Sequence, residues 1–113
     1  MRDMETKVIK TIREWLPQVI HEQICDDYTA LQSLAGYFLQ HIHGDEDQQA
    51  MAIEAAQIVN ILYLNGKLHD KNAIENEFLS IIANEETPKS LKKHLAFFPK
   101  ELRQVYLKTI IEN

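Results

Sequence analysis

The sequence predicts an all-α fold, a compact bundle of five to seven helices with a central apolar helix near residues 47–65. Three observations predict it. Apolar residues recur at three- and four-residue steps through nearly the whole chain, and no run alternates with period two between hairpin turns. Pro17, Gly44, Gly66, Pro88 and Pro99 fall where one periodic stretch gives way to the next.

Each element follows from its own residues. Val8, Ile12, Trp15, Leu16 and Val19 give the first helix its apolar ladder, which Pro17 interrupts. A kink is expected there, or a second short helix opened by Pro17 that carries Val19, Ile20 and Ile24 to Cys25. Asp26 and Asp27 read as a cap for a helix whose Tyr28, Leu31, Leu34, Ala35, Phe38, Leu39 and Ile42 share one face. Gly44 ends that helix, and Asp45, Glu46 and Asp47 open the next, where the helix dipole favours acids. The helix from about Asp47 to Asn65 is apolar almost all round, so it is expected at the centre, with Gly66 as its stop. Asp70 then caps a helix with Ile74, Phe78, Ile81 and Ile82, which Glu85-Glu86-Thr87-Pro88 breaks. Thr87-Pro88 starts a short helix through Leu91 and Leu95. Pro99 repeats the device before a last helix with Leu102, Val105, Tyr106, Ile110 and Ile111. Helix starts near 27 and 70 lie at a solenoid-like offset, but no side-chain signature recurs between them.

Composition narrows the class. At 113 residues, 45% apolar and 26% charged, residues 1–113 read as a single helical domain that needs no disulfide or structural metal to hold its core. The single Cys25 supports neither a disulfide framework nor a zinc signature and fits a reducing compartment. The opening MRDMETKVIKTIREW lacks the apolar block of a signal peptide. The most apolar stretch, Met51 to Leu64, is interrupted by Glu54, Gln57 and Asn60 and falls short of the ~20 residues a spanning helix needs. A cytoplasmic protein without membrane partners is expected.

Net charge is −5, and residues 26–70 hold the excess, with Lys67 set against Asp26, Asp27, Asp45, Glu46, Asp47, Glu54 and Asp70. Such a field repels nucleic acid and steers a basic partner inward. The basic cluster of Lys89, Lys92, Lys93, Lys100 and Arg103 beside Phe97 and Phe98 fits solvated lysines over a core better than base stacking, so no nucleic-acid partner is expected.

Two constellations carry the candidate sites. Glu54, Gln57 and Asn60, three steps apart on an apolar helix, mark a polar stripe for a groove or partner, and Asp45, Glu46 and Asp47 add an acidic patch, with Met51, Tyr63 and Tyr37 available to the same surface. For metal, His41-Ile42-His43-Gly44-Asp45-Glu46-Asp47 gathers imidazoles and carboxylates at one junction, with His43, Asp45 and Asp47 the candidate ligands. His41 and His43 point about 200° apart if both are helical and so cannot chelate together. His21, His69, His94 and Cys25 are scattered, and no catalytic, glycine-rich or cofactor signature surrounds them.

The C-terminal third also carries a resemblance, in Glu75-Asn76-Glu77-Phe78-Leu79, Lys92-Lys93-His94-Leu95, Phe98-Pro99 and Leu102-Arg103-Gln104-Val105-Tyr106-Leu107. These residues look like the corresponding part of a family of small bacterial all-helical proteins of unknown function, and the pair from Leu31 to Leu64 is similar to that family's central hairpin. The resemblance implies a bacterial cytoplasmic helical domain, a kind sometimes compared with the immunity partners of polymorphic toxins. It brings no catalytic residue with it.

The expected function is therefore a non-enzymatic protein-interaction module without a cofactor, binding a partner protein or a second copy of itself. The alternative is a small-molecule or metal-binding helical protein that uses the 41–47 junction, with His69 or His94 added by the fold.

Overall fold

A computed structural model describes residues 6–20, 26–85 and 88–112. Its elements are α1 (Lys7–Trp15), a 3₁₀ turn (Pro17–Val19), α2 (Asp27–His41), α3 (Glu46–Asn65), α4 (Leu68–Ile74), a π-helical turn (Glu75–Leu79), α5 (Ser80–Asn84), α6 (Pro88–Phe97) and α7 (Lys100–Glu112). The fold is an all-α bundle.

Helix starts follow the chemistry of the orphan backbone amides. Thr6, Asp26 and Asp45 accept the N–H of the third residue onward and cap α1, α2 and α3. Asp26, not Asp27, is the cap of α2, which leaves Asp27 buried as the first helical residue. Asp70 sits inside the first turn of α4, where its Oδ2 accepts the Lys67 N–H at 3.0 Å. Pro17 opens only a three-residue turn, and Ile20 is extended. The expected continuation through Ile24 and Cys25 lies outside the described residues, as do His21 and the Thr87 cap.

One feature has no counterpart in the apolar periodicity. Between α4 and α5 the helix widens to a π turn, in which the Ser80 N–H and Oγ both donate to the Glu75 carbonyl. The extra residue in this turn lets Phe78 and its neighbour Leu79 both reach the core.

The core runs between α2 and the other elements. Phe38 is fully buried there, with ring centroids of Phe78, His94, Phe97 and Phe98 at 6.3, 6.1, 6.4 and 5.2 Å. This aromatic cluster ties α2 to the π turn, α6 and the start of α7. The α2 and α3 helices form a hairpin across Ile42–Asp45, and α3 packs on α1, α2, α4, α6 and α7. It meets those neighbours on one side only. Ala52, Ala55, Ala56, Val59 and Leu62 are buried while Met51, Ile53, Ile61 and Leu64 are exposed, so α3 is apolar all round without being covered all round. Three other residues read as inward-facing, Trp15, Tyr28 and Ile111, also lie at the surface.

Candidate functional site

Among the described residues, the solvent face of α3 departs from an ordinary polar surface. On a helix turning 100° per residue, Asp47, Glu54, Gln57, Ile61 and Leu64 fall on one side, and all five are exposed. Trp15, from the end of α1, lies beside it at 64% exposure, with Ile61 and Leu64 at 55% and 53%. Thr11, Trp15, Glu54, Gln57, Ile58 and Ile61 line a groove of about 200 Å³ between the two helices. The Lys7 Nζ donates to the Asn65 carbonyl at 3.3 Å and fixes the far end of α1 against α3.

The predicted polar stripe is divided. Residues three apart rotate by about 60° per step around a helix, so Glu54 and Gln57 face the groove while Asn60 has turned inward. The Asn60 side chain is buried, and its Nδ2 donates to Glu101 Oε1 at 3.3 Å. Glu101's own backbone amide, with help from Asn60, holds its carboxyl below the usual range. The Asn60 Oδ1 is left without a partner among the described residues.

At the 41–47 junction the acids are occupied with helix starts. Asp45 Oδ1 accepts the Gln48 N–H at 3.0 Å, and Glu46 and Asp47 stand exposed in the first turn of α3. His41 Nδ1 lies 2.8 Å from the Tyr37 carbonyl, and His43 is exposed. His43, Asp45 and Asp47 do not converge. Among the described residues, the metal-ligating atoms that do gather within 4.8 Å of one another belong to Asp27, His69 and Asp70.

A second concavity, of about 410 Å³, is lined by Gly36, Leu39, Gln40, His43, Glu85 and His94. His94 is 1% exposed and its Nδ1 lies 2.8 Å from the Tyr106 hydroxyl. Burial first, and the nearby His43 second, push the His94 imidazole down to about 4, so it is neutral at pH 7. The Tyr63 phenol shifts the other way. Burial, with its bond to Glu75 Oε2 at 2.7 Å, raises it to about 12. Both groups serve as neutral hydrogen-bonding partners inside the packing.

In the basic segment, the Arg103 guanidinium donates to the Phe98 carbonyl at 3.2 Å, Phe98 is buried, and Lys92 and Lys100 point to solvent. The aromatics belong to the core rather than to a stacking platform. No helix of the described residues is long and apolar enough to cross a membrane.

A family model described as Domain of unknown function (DUF7674) matches residues 9–112. The chain belongs to that family. The DUF7674 match runs from within α1 to the end of α7. No curated protein and no solved structure shows significant similarity to the chain. The residues that stand out in this DUF7674 domain beyond those the sequence singled out are Trp15, Ile61, Leu64 and Asp27. Trp15 reads as core from its period, Ile61 and Leu64 lie in a helix that reads as apolar almost all round, and the doubled acid Asp26-Asp27 is the available hint of the fourth, since one cap needs only one of them.

Proposed function

We propose that this DUF7674 domain is a non-enzymatic protein-interaction module that docks a basic and apolar partner protein on the face formed by α1 and α3. The observation that carries this reading is the exposed apolar strip of Trp15, Ile61 and Leu64, continued by Glu54, Gln57 and Asp47. Exposed tryptophan and aliphatic side chains beside a polar rim are the composition of an interface centre, and such a strip is costly to leave in water. The acids set the occupant's charge. Asp45, Glu46 and Asp47 lie two to three turns up the same helix, within the segment that carries the chain's negative excess, and they would speed the approach of a basic surface. A basic toxin is one partner of that chemistry, in keeping with the comparison to immunity proteins that the resemblance implies. Membranes and nucleic acid fit the strip less well, because the same acids repel phosphate.

Affinity purification of the tagged chain at low salt from its source cells, with mass spectrometry and light scattering of the eluate, tests this. The expected result is a stoichiometric second protein that dissociates as salt rises. A Trp15→Ala/Ile61→Glu variant, shown folded by circular dichroism, should lose it. Retention of that protein by the folded variant, or a homo-oligomer in its place, contradicts the reading.

A further inference from the structure

Three helices begin at one place in the fold. Thr6 caps α1, Asp27 is the first residue of α2, and His69 and Asp70 lie in the first turn of α4. Asp27 is only 6% exposed. One of its carboxylate oxygens accepts a hydrogen bond from the Thr6 hydroxyl, and the other lies 3.8 Å from His69 Nε2, too far for a hydrogen bond. The His69 side chain is 65% exposed, and the Tyr28 ring stands edge-on beside it, with centroids 6.1 Å apart.

Helix capping explains Asp70 but leaves two things over. The Thr6 hydroxyl accounts for one oxygen of the nearly buried Asp27 and leaves the other facing His69 without a hydrogen bond to it. A histidine at a helix start gains nothing from the macrodipole, which favours basic groups at the opposite end. A shared cation satisfies both. We propose that Asp27, His69 and Asp70 bind a divalent transition-metal ion, with zinc the best match to an imidazole and two carboxylates. Magnesium and calcium prefer sites made of oxygen alone. Zinc bonds of about 2.0–2.2 Å place tetrahedral ligands roughly 3.3 Å apart; the Asp27–His69 pair stands at 3.8 Å and all three ligand atoms within 4.8 Å of one another, so closure needs the exposed His69 and the part-exposed Asp70 side chains to swing inward. Two carboxylates neutralise the ion, the Thr6 hydroxyl orients the buried one, and the solvent side leaves a coordination position for water. This site involves none of the residues of the α1 and α3 face, so it stands or falls independently of the proposed docking.

The test is calorimetric titration of chelator-stripped protein with zinc, alongside cobalt as a spectroscopic substitute. One zinc per chain is expected, with four-coordinate cobalt absorption in the visible. His69→Ala and Asp70→Asn should each weaken zinc at least tenfold while the exposed His43→Ala leaves it unchanged. Asp27 itself is left intact, since its burial makes a folding defect the expected result of changing it. No zinc binding, binding indifferent to both His69→Ala and Asp70→Asn, or binding lost with His43→Ala overturns the site. Magnesium binding with equal affinity overturns the choice of metal.

Discussion

His94 shows what one buried side chain does to the pH dependence of the whole fold. Its folded-state value near 4 lies below the ordinary histidine range, near 6.5, that it regains on unfolding. Between those two values the unfolded chain binds the proton and the folded chain does not, so stability is complete above about pH 6.5 and falls as pH drops toward 4. The loss from this group is on the order of 2–3 kcal/mol. Urea denaturation of wild type and His94→Gln at pH 7 and pH 4.5 checks it, and the variant should show the shallower decline. The chemistry of this residue was not legible in the sequence. Leu91 and Leu95 announced the buried face of α6, but the hydroxyl of Tyr106 and the neighbourhood of His43 reach His94 only through tertiary packing. The same holds for Asp27 and His69, which are 42 positions apart in the sequence and meet only where two helix starts coincide.

At the scale of elements, caps and breakers explain why the helices were legible. Asp26, Asp45 and Gly66 act through bonds to residues within four positions, and that information lies in the local sequence. Width was not legible. A three-to-four residue period locates the middle of an apolar face without saying how far a neighbour covers it, which is why Trp15, Tyr28 and Ile111 lie in solvent. The π turn at Glu75–Leu79 was invisible for a related reason, since it inserts a residue into a pattern that assumes none. Two glycines give opposite predictions. A methyl group on Gly36, inside α2, would meet nothing within 4 Å, so Gly36→Ala should stabilise the protein by about 0.5–1 kcal/mol. On Gly66 the same methyl would lie 2.7 Å from the Leu62 carbonyl oxygen and 2.8 Å from the Asp70 Cβ, so Gly66→Ala should cost about 1–3 kcal/mol. Thermal unfolding of both variants settles the two signs.

At the scale of the whole molecule, charge and apolar exposure coincide. Asp47 and Glu54, two of the acids of the negatively charged middle segment, and the strip of Trp15, Ile61 and Leu64 share the α1 and α3 side, while the aromatic core gathers α2, α6 and α7 around Phe38. The α1 and α3 side presents apolar side chains beside acids, the combination that association with a basic and apolar partner would cover. The Glu54 and Gln57 half of the predicted stripe belongs to that side, and Asn60 has turned inward.

Site-specific photo-crosslinking in the source cells tests the interface most directly. A photoreactive side chain placed at Ile61 is compared with one at Gln104, which is exposed on α7. The predicted result is a discrete adduct with a second protein from position 61 and none from position 104. No adduct at 61, or the same adducts from both positions, would contradict a partner docked on the α1 and α3 face.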